Sequence, residues 1–412
     1  MSGRFTEPTA AVTLVIGACE PGTKARHDPL SPFNQSDQAC PDHRDKLACG
    51  ILAIHATCLV RGSPGLTKPV VMKLQRFEGN PILSPHPGHS WEDLAVFNPA
   101  AWYDEQNKVV QLLYRAAESG PDYRCWLGLA TSKDGYHFER ASDKPAFDLS
   151  SDGFDCATIQ DPRITKMGDW FYVTYACRHF PFGQFWVPGG RDRYAKPDCG
   201  AEFPHYLRTN ATLTGLSMTR DFKTWIRAGW ITDPLLDDRD AILFPEKING
   251  KFALMHRPLE WVGDQYGTDH ACAWICESND LMGFPHAKNR LLIRNKYPWE
   301  AFKLGINTPP IRTTAGWLTL YHAVGPDKFY RLGALLLDLN DPGIVLHRTP
   351  DFLMEPETPY ELEGFYRGAI FPCGTVVIDG TLFVYYGAGD QYCALATCPL
   401  DQLIAHLLTC PA

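Results

Sequence analysis

The sequence predicts an all-β protein, a five-bladed β-propeller, on three observations. A Pro-led apolar segment recurs five times, each copy running through a short polar turn into an aromatic-rich β run. The leading prolines, Pro99, Pro162, Pro245, Pro309 and Pro372, stand about 63, 83, 64 and 63 residues apart, a period that several short strands per unit would fill. Aromatic residues at 12% and 34 glycines suit many short strands and tight turns, and no sustained 3.6-residue apolar periodicity argues for a helical bundle.

In chain order, residues 1–71 come first. They hold four cysteines, many Pro, Ser, Gly and charged residues, and no copy of the repeat. They read as a disordered or non-native leader before a folded domain spanning 72–412. An apolar stretch from Ala10 to Cys19 has the outline of a lipoprotein signal, but Arg4 and Glu7 precede it without a positive n-region. A cytoplasmic location is therefore the expectation, with a periplasmic lipoprotein as the alternative.

The five copies run from Asn98 to Tyr114, Asp161 to Tyr175, Phe244 to His256, Pro309 to Tyr321 and Phe371 to Tyr386. Between them, alternating strands end in a Ser/Thr-x-Asp echo at Asp134 and Asp221, and more weakly at Asp280. An Asp there closes a hairpin by accepting nearby backbone N–H groups, so these aspartates are expected to be turn formers. The long second interval holds an insertion between Arg178 and Arg208 that carries Phe180, Phe182, Phe185 and Trp186. Long loops on compact scaffolds are commonly functional, and this one is expected to shape a sugar subsite with its aromatic faces.

Composition excludes several classes. A net charge of −8 lacks the basic stripe of a nucleic-acid binder, and no run of 18 apolar residues would span a membrane as a helix. The 14 cysteines are scattered; Cys272 and Cys276 have no zinc-type partners, and Cys125, Cys177 and Cys393 fall in predicted strands as small buried hydrophobes. Nucleophile-elbow, phosphate-loop and His-Glu-x-x-His motifs are missing. No metal or organic cofactor is expected.

What chemistry remains sits at the edges of the repeats. Asn98 precedes Pro99; Asp161 precedes Pro162, with Arg163 just after; Arg239 and Asp240 precede the third copy; Glu300 leads into the fourth and Asp390 follows the fifth. In a propeller such positions can converge on one mouth, gathering carboxylates, arginines and aromatic rings as a carbohydrate site does. Two carboxylates in different environments could serve as acid and base. Against this, an Asp before Pro also caps turns, and Asp-Pro-Arg can be an internal ion pair.

Several motifs at these places, in order and at blade spacing, resemble glycoside hydrolase family 130, five-bladed propeller enzymes that cleave β-mannosides. They are Gly79 to Leu83, Val96 to Ala100, Leu112 to Arg115, Gln160 to Ile164, Leu243 to Ile248 and Met255 to Pro258. The series continues with Pro309 to Ile311, Gly316 to His322, Leu335 to Leu339, Phe371 to Gly374 and Tyr385 to Gly387. The resemblance covers roughly residues 73–405. It implies that Asp161 is the general acid, protonating the glycosidic oxygen through a sugar hydroxyl, and that Asn98, Arg115, Arg163 and Asp390 bind the sugar. The family holds inverting phosphorylases and inverting hydrolases. A phosphorylase uses inorganic phosphate as co-substrate and needs cations, for which Arg208, Arg239 and His256 are the candidates. A hydrolase needs a carboxylate base, for which Glu260 and Glu300 are the candidates. Arg239-Asp240 stands where the family's phosphorylases usually have Lys-Asp, and Gln160 stands where they usually have Glu. The expectation is therefore hydrolysis of β-1,2-linked manno-oligosaccharides. A phosphorylase releasing mannose 1-phosphate and a non-catalytic sugar-binding propeller are the alternatives. A homo-oligomer is left open.

Overall fold

Alternating apolar runs with aromatic and β-branched residues favour extended backbone, and the chain delivers little else. The computed structural model describes residues 72–190 and 200–412; the leader expected over 1–71 lies outside the described residues. The strands are β1 (Gln75–Arg76), β2 (Ala95–Asp104), β3 (Val109–Ala117), β4 (Cys125–Ser132) and β5 (Glu139–Arg140). Next come β6 (Thr158–Met167), β7 (Trp170–Arg178), β8 (Leu213–Thr219) and β9 (Trp225–Trp230), then β10 (Asp238–Leu243), β11 (Phe252–Pro258), β12 (Ala273–Ser278) and β13 (Arg290–Ile293). The last are β14 (Leu304–Ile306), β15 (Ile311–Thr313), β16 (Gly316–Val324), β17 (Tyr330–Leu337), β18 (Val345–Arg348), β19 (Ile370–Ile378), β20 (Thr381–Ala388) and β21 (Tyr392–Pro399). Short helices α1 (His205–Thr209), α2 (Pro359–Leu362) and α3 (Leu400–Leu408) and one 3-10 turn, His286–Lys288, complete the described elements. The protein is all-β.

Pairing is antiparallel within the successions β2 to β5, β6 to β9, β10 to β13, β14 to β18 and β19 to β21, with β14 and β15 both pairing with β16. The first two merge into one eight-stranded sheet through a single parallel pair, Cys125 with Thr158. β1 adds to β21, so strands from both ends of the described chain share a sheet. Each succession shares a buried core with the next: Leu113 with Val173, Leu216 with Leu254, Met255 with Trp317, Leu332 with Val384. The last returns to the first through Tyr385, Leu395 and Leu112. Asp134, Asp221 and Asp280 close their hairpins by accepting backbone N–H groups, as the sequence predicted. The nine described cysteines are free thiols, eight of them buried.

A repeated polar latch recurs in four of the five strand successions, and it accounts for the recurring tyrosines. A buried acid lies before the first strand, and a Tyr on the second strand donates to it: Tyr114 to Glu92 (2.9 Å), Tyr175 to Asp155 (2.9 Å), Tyr321 to Glu300 (2.7 Å) and Tyr386 to Glu361 (2.8 Å). An Arg from the outermost strand neutralises each acid: Arg140, Arg227, Arg348 and Arg76 in the same order. The four acids are fully buried, and each is thereby paired and hydrogen-bonded, the condition under which buried charge is tolerated. Glu300, expected as a catalytic base, is the third of these acids. It also accepts the main-chain N–H groups of Lys296 and Tyr297 and is fully buried, so it serves the sheet and cannot reach a substrate.

Candidate functional site

Three first strands carry a β-bulge at the same place, between Phe97 and Ala100, between Gln160 and Arg163, and between Arg239 and Ile242. A bulge unpairs one residue and re-aims its side chain. Here the re-aimed residues are Asn98, Asp161 and Asp240, with φ of 47°, 49° and 54°, a left-handed backbone that Asn and Asp tolerate better than most residues. Their side chains meet in one cavity of about 160 Å3, which Asp390 joins from the β20–β21 turn.

The acidic side is organised around Asp161. Its Oδ1 accepts from Asn98 Nδ2 at 2.7 Å and from Arg115 Nη1 at 3.1 Å. The Arg115 guanidinium lies over the Phe97 ring, 4.4 Å from its centre. Asn98 Oδ1, Arg115 Nε and Gln160 Nε2 are buried without a protein hydrogen-bond partner. Such groups are rare in a finished core and fit the binding of sugar hydroxyls. Gly387 makes the approach of Asn98 feasible, because a Cβ there would collide with the Asn98 side chain and main-chain nitrogen. Burial and the nearby Asp161 carboxylate push the Asp390 carboxyl up to about 6, against the pull of Arg115 and Lys303.

Cations line the opposite side: Arg178, Arg239, Arg257 and Lys303. Each arginine is held by an acid. Asp237 takes Arg239 in a two-point pair (2.6 and 3.0 Å) and lies 3.6 Å from Arg178; Asp240 takes Arg257 at 2.6 Å. Burial opposes ionisation of Asp240, yet Arg257, His322 and Arg163 together hold it well below the usual carboxylate range. Gly305 lets this pair close, since a Cβ there would strike Asp240, Arg257 and His322. Lys303 has burial and the Arg257 and Arg239 charges against it, which lower its ammonium to about 7 despite Asp240 and Asp390. Phe182, Phe185, Tyr330, Tyr366 and Phe371 furnish apolar walls. Phe182 and Phe185 come from the insertion expected to shape a subsite, whose Trp186 packs on Phe365 at 4.4 Å.

Of the residues singled out from sequence, the structure brings Asn98, Arg115, Asp161, Arg239 and Asp390 together. It sets the others apart, each for a physical reason. Arg163 is buried behind the cavity, donating to the main-chain oxygens of Asp161 (2.6 Å) and Asn307 (3.2 Å) and pairing with Asp240; it braces the bulge and does not touch the cavity. Glu260 is exposed and accepts the main-chain N–H of Asp237 at 3.0 Å. Arg208 sits on α1, donating to the Phe203 carbonyl. His256 faces the other side of its strand, paired with Asp238 at 2.6 Å. Sequence reasoning missed Gln160's side chain, Arg178, Arg257 and Lys303. Arg257 follows His256 directly, and strand alternation puts neighbours on opposite faces; Lys303 lies in irregular chain before β14 and carries no pattern. Among the described residues, no cluster of His, Cys, Asp and Glu could hold a metal ion, and no helix is long and apolar enough to cross a membrane.

The family described as β-1,4-mannooligosaccharide phosphorylase, glycoside hydrolase 130, matches over residues 66–181 and 206–408. The chain belongs to glycoside hydrolase family 130. It is 36% identical over 339 residues to a 1,2-β-oligomannan phosphorylase of Thermoanaerobacter sp. (strain X514), covering 81% of this chain and 99% of that protein. A β-1,2-mannobiose phosphorylase of the same organism is 33% identical over 344 residues, with the same coverage. Among solved structures, a β-1,2-mannobiose phosphorylase from Listeria innocua in complex with β-1,2-mannobiose superposes with a TM-score of 0.66 at 27% identity, over 82% of this chain and 100% of that one. The protein is thus a glycoside-active enzyme.

Proposed function

We propose that the protein is an inverting β-mannoside phosphorylase acting on β-1,2-linked manno-oligosaccharides, its five strand successions forming the blades of a propeller. One observation carries this reading. Five basic side chains (Arg115, Arg178, Arg239, Arg257, Lys303) and three acidic ones (Asp161, Asp240, Asp390) line the cavity, a surplus of basic groups that suits an oxyanion. A phosphorylase asks for cations to hold an oxyanion that is already a nucleophile. A hydrolase asks for a base with room for water, and both glutamates considered for that part lie outside the cavity.

In the proposed reaction, Asn98, Arg115, Gln160 and Asp390 orient the terminal mannosyl unit, and Arg178, Arg239, Arg257 and Lys303 hold phosphate on the face opposite the leaving sugar. A phosphate oxygen forms a bond to the anomeric carbon as the glycosidic C–O bond breaks. The departing oxygen takes a proton that originates on Asp161, and the products are α-mannose 1-phosphate and a chain one unit shorter. The two reactants are positioned in one cavity, and that positioning supplies much of the rate.

The test is incubation with β-1,2-mannobiose with and without phosphate, following mannose and mannose 1-phosphate. Mannose 1-phosphate appearing only with phosphate is expected. Release of free mannose at a rate indifferent to phosphate would return the assignment to hydrolysis.

A further inference from the structure

The third succession departs from the latch. In place of a Tyr and an Arg on the buried acid, Asp238 meets His256 Nδ1 at 2.6 Å and the main-chain N–H of Arg257 at 3.1 Å. Asn289 Oδ1 lies against the other imidazole nitrogen. These side chains are shorter than the tyrosine and arginine used elsewhere, and a second cavity of about 250 Å3 lies over them. Its walls are of two kinds. Trp230, Trp261, Met282 and Phe284 are apolar, whereas Asp233, Asp238, His256, His286 and Asn289 supply polar groups. Trp261 is buried and fixed by Trp274 at 4.9 Å and His286 at 4.6 Å; Trp230 stands at the rim, 38% exposed.

We propose that this cavity is a second carbohydrate-binding site that takes one hexopyranose ring, the choice of mannose resting on the function proposed above. A pyranose has an apolar C–H face and an edge of hydroxyls, and the two kinds of wall match the two. At about 250 Å3 the cavity falls below the roughly 300–1,000 Å3 of sites for drug-sized ligands and has room for one ring. The carboxylates of Asp233 and Asp238 disfavour an anion, which separates this cavity from the cationic one and excludes a phosphorylated sugar. His256 and Arg257 are neighbours on β11 and face opposite sides of it, so the two cavities stand back to back across the β10–β11 hairpin. A sugar held here tethers a longer chain beside the catalytic cavity without competing for it.

The experiment is calorimetric titration of the full chain with mannose, glucose and N-acetylglucosamine, and with a β-1,2-linked mannotriose, in wild type, Trp230→Ala and Asp233→Asn. Two classes of site are expected for the trisaccharide. Trp230→Ala should weaken one class about tenfold, the size of one lost ring-stacking contact, while turnover of mannobiose stays at the wild-type rate. Asp233→Asn should weaken the same class and serves if the Trp230 variant folds poorly. A single class in wild type, or unchanged titrations in both variants, would overturn the second site. Should phosphorolysis fail while a hexose still loses binding in Trp230→Ala, the cavity stands as a sugar site and only the identity of its sugar falls.

Discussion

Asp161 accepts both Asn98 and Arg115 on one carboxylate oxygen, an arrangement that fixes its orientation toward the cavity. Asp161→Asn keeps the shape and loses the proton donor, so turnover per folded molecule should fall by about 10²–10⁴-fold, more than any loss of stability from unpairing Arg115 would account for. Steady-state release of mannose 1-phosphate beside a thermal melt checks this; near-normal turnover would remove Asp161 from the mechanism. Glu300→Gln should behave in the opposite way. It leaves Arg348 buried without its counter-charge, costing about 3–5 kcal/mol of stability, while the folded fraction turns over normally. Asp161 was legible because an Asx before Pro at a repeat start is a local signal. Glu300 was misread because its role depends on Tyr321 and Arg348, 21 and 48 residues away. Its local surroundings, Trp299-Glu300, say nothing of them.

At the scale of elements, the bulge and two glycines make the site. Gly387→Ala drives a methyl group into Asn98, and Gly305→Ala drives one into Asp240 and Arg257. The first should raise KM for the mannoside with KM for phosphate little changed, and the second should do the reverse. Two-substrate kinetics read the split, and equal effects on both constants from either variant would contradict the assignment of the two walls. The strands themselves were legible from their alternation, and so were the turn aspartates. The register of the third repeat was not. Its Pro245 follows β10, whereas Pro99 and Pro162 lie inside β2 and β6, so aligning prolines hid the equivalence of Asp240 with Asp161. The same strand pair explains the choice of His256 over Arg257. Alternation says that only one of two neighbours faces the cavity, but not which one until a bulge has fixed the phase.

The whole molecule enters through closure and charge. Pairing of the two-residue β1 with β21 joins residues more than 300 positions apart, a contact for which sequence carries no periodic signal. Closure of the same kind brings Lys303, just before β14, and Asp390, in the β20–β21 turn, into one cavity. The unfolded chain holds the Lys303 proton up to about 10.5, whereas burial and the facing arginines make the folded protein release it near 7. Between these values the unfolded state binds more protons, so this group adds stability as pH rises from about 7 toward 10.5 and withholds it below 7. Lys303→Met lacks that dependence. The variant should therefore melt higher than wild type at pH 6, and its advantage should shrink steadily toward pH 10. Turnover should move the other way. Phosphate is held by the ammonium form, so the wild-type KM for phosphate should rise as pH climbs through about 7, while the variant has a high KM that this step no longer changes. Melting curves and phosphate saturation curves across that range test both halves. A melting-temperature gap independent of pH would show that Lys303 keeps its ordinary affinity for protons in the folded protein. The charge of the basic groups in the cavity would then not depend on pH in this range.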